Sequence, residues 1–183
     1  PYMVPHVEAD EGRADASARA PQAIFAGLAT LDVIQLVERL PLPDEKVAAL
    51  DFELAAGGPA ANAAVAFARC GGDPTLVTAL PEHSLSAMVV SDLQAHGVSV
   101  ATVAAYSGPP ITASILVTRA TGERAVVSPT ASATEERLRP VPMPALDGVG
   151  AVLIDGYFRS LSLPLALAAR SRGIHVVLDA GSF

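Results

Sequence analysis

AAGGPAANAAVAFARCGG, residues 55–72, is the stretch from which the fold can be read. Gly57 and Gly58 free the backbone, Pro59 brings the fixed φ that suits a first helical turn, and the alanine-rich run predicts a helix that Gly71 and Gly72 stop. A glycine pair ahead of a helix lets a ligand approach main-chain N–H groups that have no partner within the helix. Asn62, about one turn in, stands as a polar side chain among alanines, and its amide both donates and accepts. The same residues also have a purely structural use. Gly-Gly-Pro makes a tight helix entry, and a helical Asn satisfies a nearby carbonyl.

Working towards the N-terminus, QAIFAGL (22–28) is a short apolar run ended by glycine and predicts a buried strand. DVIQLV (32–37) predicts a second strand, and after the break at 41–44, VAALDFEL (47–54) predicts an edge strand. Asp32 lies just past the first of these. Its two carboxylate oxygens suit two neighbouring hydroxyls, although an Asp there also caps turns. Asp32 and Asn62 together predict a polyol site in which a carboxylate and an amide converge on one cavity.

Towards the C-terminus, TLVTAL (75–80) predicts a strand. SLSAMVVSDLQAH predicts a helix capped by Ser84, turning Leu85, Met88, Val89 and Leu93 inward and stopped by Gly97. Residues 98–106 are β-rich. ITASILVT (111–118) and RAVVS (124–128) read as a hairpin bent at Gly122, and 129–144 as turn-rich surface. AVLID (151–155), a helix over 161–172 and IHVVLD (174–179) form a βαβ unit. The alternation predicts an α/β protein with a doubly wound sheet over 21–183, preceded by a mobile extension over 1–20. Asp155 and Asp179 both end strands at the crevice, where touching a substrate and satisfying loop amides are equally open. Arg124 reads as a solvated residue and Cys70 as a core one.

Composition limits the functions. Of 183 residues, 51% are hydrophobic and 17% charged, and mean hydropathy is +0.41, which argues against a wholly disordered chain. A net charge of -7 argues against phosphate-tracking nucleic-acid binding. Lys46 is the one lysine, so lysine chemistry has a single candidate. One cysteine permits neither an internal disulfide nor a thiolate zinc site, and with no basic-then-apolar leader the expected location is the cytoplasm. No apolar run reaches the length of a bilayer span. G-K-[ST], G-x-G-x-x-G, H-E-x-x-H and G-x-S-x-G are all absent, and the four histidines lack ligand spacing, so no resident metal is expected.

Gly27 and Asp32, then Gly57, Gly58, Asn62 and Ala64 with a glycine stop, resemble the amino-terminal half of the PfkB/ribokinase carbohydrate kinases. The resemblance runs from about residue 22 to 183 and takes in TGER at 121–124 and the closing LDAGSF. It implies a ribokinase-like doubly wound sheet with a small β lid, built from about 32–54 and 111–128. It also implies an ATP- and Mg2+-dependent kinase, a small-molecule sugar or polyol as partner, and a homodimer formed through the lid. Asp32, Gly57, Gly58 and Asn62 would contact the sugar by this resemblance, with Asp155 a further candidate. Two features depart from the family. TALPEHSLSA (78–87) lacks the family's glycines, and the family's G-A-G-D signature is not in this sequence. The resemblance therefore implies that the general-base aspartate lies beyond Phe183, and the chain reads as the sugar-binding half of a longer kinase. A non-catalytic sugar-binding or regulatory protein with the same pocket is the alternative.

Overall fold

The computed structural model describes residues 19–103, 106–139, 142 and 144–180. Most of the extension expected over 1–20 lies outside these residues, as do 104–105 and the last three of LDAGSF, Phe183 included. Five parallel strands make the main sheet: β1 (Gln22–Ala26), β4 (Asp73–Ala79), β5 (Ser99–Val103), β8 (Val149–Ile154) and β9 (His175–Leu178), in the order β5-β4-β1-β8-β9. β1 is central, and Ala23 to Ala26 are buried on both faces, as a short continuous apolar run in a parallel sheet should be. Its side chains alternate between two cores. Phe25 and Ala23 meet α1 (Pro59–Arg69) and α2 (Ser84–Ala95) through Ala60, Ala64, Leu76, Val89 and Leu93. Ile24 and Ala26 meet α4 (Arg159–Ser171) through Val77, Val152, Leu161 and Leu165. Helices on both faces make the sheet doubly wound. Because successive strands go to one side of β1 and then to the other, the strand order reverses there and opens a crevice at the carboxyl ends.

A second sheet holds β2 (Thr30–Val37), β3 (Asp51–Gly57), β6 (Thr112–Thr118) and β7 (Arg124–Val127) in the order β3-β2-β6-β7. β6 and β7 form the expected antiparallel hairpin. β3 is an edge strand, but it begins at Asp51 and runs into Gly57 rather than spanning 47–54, because Gly57 pairs with Thr30 and continues the ladder. Before it, the guanidinium of Arg39 hydrogen-bonds the Glu45 carboxylate, which also accepts from the Leu42 N–H and is held down to about 2.

Other expectations change at particular residues. Within 129–144 a short helix, α3 (Ser132–Glu135), buries Ala131 and Thr134. The cap of α2 is His83, whose Nδ1 accepts from the Leu85 N–H at 3.1 Å, so Ser84 is already helical. Met88 is 41% exposed and lies off the packed face of α2, which buries Ser86, Val89 and Leu93. Cys70 is exposed because it follows the last turn of α1, beyond the sheet that the helix covers. Among the described residues, no helix is long and apolar enough to cross a membrane.

Candidate functional site

The chain passes between the two sheets at Gly27–Ala29, after β1, and at Gly58, after β3. Gly58 adopts φ 103 and ψ 147, which brings its Cα against the first crossing: a Cβ there would lie 2.3 Å from the Leu28 carbonyl oxygen. Only glycine fits. Gly57, one residue earlier, is constrained by a side chain. A Cβ on it would stand 2.1 Å from Oδ2 of Asp32, so the carboxylate lies directly over the glycine. The buried Thr30 shares that strand face with Asp32, and its hydroxyl donates to Asp32 Oδ1 at 2.6 Å. Thr30 was legible in principle, since residues two apart in a strand point the same way.

Asn62 sits on the exposed side of α1, and no described residue hydrogen-bonds its amide. It opens into a cavity of about 570 Å³ shared with Glu53, Ala55, Arg69, Asp92 and His96. The Asp32 carboxylate lies outside that lining, one strand further in, opposite Ala55. Asp32 and Asn62 therefore border the same segment, 55–57, without sharing one cavity: the amide opens beside Arg69, and the carboxylate lies over Gly57. Asp92, unremarked in the sequence, fixes that segment from α2: its Oδ2 accepts from the Ala56 N–H at 2.7 Å. No local pattern signals a contact across 36 positions.

Asp155 is 2% exposed at the end of β8. Its Oδ2 accepts from the N–H groups of Leu28 at 2.8 Å and Ala60 at 3.1 Å, and its Oδ1 from that of Tyr157 at 3.0 Å. Of the two uses open to it in the sequence, the loop-amide one is realised. Burial pushes its carboxyl above the ordinary range, the three amides pull it back, and the charge of Asp179 pushes it further up. The associated stability is fully present below the unfolded carboxyl range and is lost as pH rises through the raised value. Arg124 and Asp179 are exposed, and a second cavity of about 430 Å³, lined by Glu135, Gly156, Tyr157 and Arg159, opens beside the end of β8.

The described residues contain no group of three or more His, Cys, Asp or Glu placed to hold a metal ion, and the sequence has no glycine-lysine phosphate loop. The general-base aspartate expected beyond Phe183 lies outside the described residues, which end at position 180.

Solved structures share the architecture. A protein described as a ribokinase from Agrobacterium tumefaciens matches with a TM-score of 0.78 and 24% identity over 87% of this chain and 52% of its own. Arabidopsis thaliana ribokinase, complexed with ribose and ATP, matches with a TM-score of 0.67 and 22% identity over 90% and 55%. Phosphofructokinase-2 from Escherichia coli, in complex with fructose 6-phosphate, matches with a TM-score of 0.61 and 21% identity over 87% and 54%. The chain spans about half the length of these proteins. The ribokinase-like fold that the resemblance implies is the one observed. The family model for pfkB carbohydrate kinases matches residues 21–175, nearly all of the described chain, and the protein belongs to that family.

Proposed function

We propose that this chain provides the sugar-holding part of an ATP-dependent carbohydrate kinase. Of the expected contacts, Asp32, Gly57 and Gly58 lie together where the chain crosses between the sheets, and Asn62 lies on the adjoining helix, open to a separate cavity. The observation that carries the reading is the Asp32 carboxylate lying over Gly57. A bare main chain beside a charged acceptor is what a vicinal diol needs for close approach and two charge-assisted hydrogen bonds. A sugar laid along 55–58 on the Asp32 side reaches that carboxylate, and it meets the Asn62 amide only by extending past the segment into the neighbouring cavity.

ATP supplies the γ-phosphoryl group when bound. The residues of this chain fix the acceptor hydroxyl for in-line attack, and the second sheet acts as a lid that keeps competing water away. In this reading the general-base aspartate and the holders of ATP and Mg2+ lie outside the described residues. Register places Phe52, Leu54 and Val127 on the lid face opposite Asp32, all exposed, and a second copy packed there would form the homodimer. A cytoplasmic location fits a kinase that draws on ATP.

The test is calorimetric titration of the full chain with ribose, fructose and fructose 6-phosphate, followed by an ATP-turnover assay. Saturable binding of at least one is expected, without phosphorylation by this chain alone, because the general base and the holders of ATP lie outside its described residues in this reading. Absence of binding across the whole panel contradicts the reading.

A further inference from the structure

We infer that Asp155 is a positioning residue: one buried carboxylate that holds both inter-sheet crossings and the loop after β8 in register without itself touching the sugar. The N–H groups it accepts belong to three segments far apart in sequence, the first crossing (Leu28), the start of α1 (Ala60) and the post-β8 loop (Tyr157). Each needs it. α1 has no side-chain cap, because Gly58 occupies the capping position, and Pro59 brings no N–H. The Ala60 N–H, the first donor in the helix, is met by a charge from another strand, which also opposes the positive end of the helix dipole. Leu28 follows Gly27, where a Cβ would lie 1.9 Å from Asp155 Oδ1, so the carboxylate occupies the space a side chain would take.

Two oxygens therefore set the spacing between the strand that carries Asp32 and the helix that carries Asn62. Asparagine has nearly the same shape but a single acceptor oxygen, so its NH2 would face at least one of the three donors. The inference draws on the sugar-site reading only for its binding readout.

The experiment compares wild type, Asp155→Ala and Asp155→Asn in the full chain by amide hydrogen exchange and by ribose titration. Exchange in segments 27–31, 58–62 and 156–158 should accelerate at least tenfold in the Ala variant, while 84–95 in α2 keeps wild-type protection. Ribose affinity should fall at least tenfold in the Ala variant and recover in part in the Asn variant. If Asp155→Ala does not fold, the Asn variant carries the same exchange test. Wild-type protection in the three segments overturns the inference, as does equal acceleration in α2. Lost affinity with protection intact also overturns it, since that outcome puts Asp155 in direct contact with the sugar. If wild type binds no ribose, the sugar-site reading fails at ribose, while the exchange pattern still decides the role of Asp155.

Discussion

Replacing Gly58 by alanine is expected to cost about 3 kcal/mol or more, and so to lower the melting temperature by roughly 6–12 °C in a domain of this size. Two effects add. The backbone at φ 103 and ψ 147 is a conformation that residues with a Cβ avoid, and the new methyl would lie 2.3 Å from the Leu28 carbonyl oxygen, which belongs to the main chain and has little room to move. Gly71→Ala is the control. Gly71 also has a positive φ of 86, but a Cβ there meets nothing within 4 Å, so the strain acts alone and costs about 1–2 kcal/mol. Thermal or urea unfolding of the two variants measures the difference. Equal losses would mean that contact with Leu28 contributes nothing.

Asp32→Ala should weaken sugar binding by roughly ten- to a hundredfold, the effect of losing a charged acceptor worth about 1.5–3 kcal/mol. The substitution also leaves the buried Thr30 hydroxyl without its 2.6 Å acceptor, so some loss of stability accompanies it. Asn62→Ala separates the two effects. The Asn62 amide has no hydrogen-bond partner among the described residues, and alanine is the better helix former by up to about 0.7 kcal/mol. That variant should melt slightly higher than wild type while binding sugar about fivefold more weakly. Calorimetric titration alongside thermal unfolding checks both. Unchanged affinity in both variants would leave Asp32 and Asn62 as structural residues only.

Much of the fold was legible because its signals are local. Short apolar or β-rich runs gave the parallel strands, the first of them ended by glycine, and Gly-Gly-Pro followed by alanines gave α1 to within a residue. Legibility failed where tertiary contacts set the outcome. β3 reaches Gly57 because that glycine pairs with Thr30 and lies under Asp32, whereas glycine read locally ends a strand. α3 is too short for periodicity to register, and Ala131 at its N-cap belongs to the core cluster that also holds Phe158 and Leu161.

The candidate site divides in the same way. Asp32, Gly57 and Gly58 were found because each has a local reason to be there, and the structure brings those three together. Asp155 stayed undecided because a strand-end aspartate serves a ligand or a loop equally well, and its partners Leu28 and Ala60 lie 127 and 95 positions away. Asn62 was placed on the correct helix, but its direction depends on the phase of α1 over the sheet, which composition does not fix.

The most direct measurement is an amide-resolved magnetic resonance titration of the full chain with ribose. The account predicts that the main-chain amides of Gly57, Gly58, Ala61 and Asn62 and the Asn62 side-chain NH2 shift together with one saturation curve, and that those of Asp32 and Leu31 follow it. Shifts that saturate elsewhere on the molecule while these signals stay in place would contradict it.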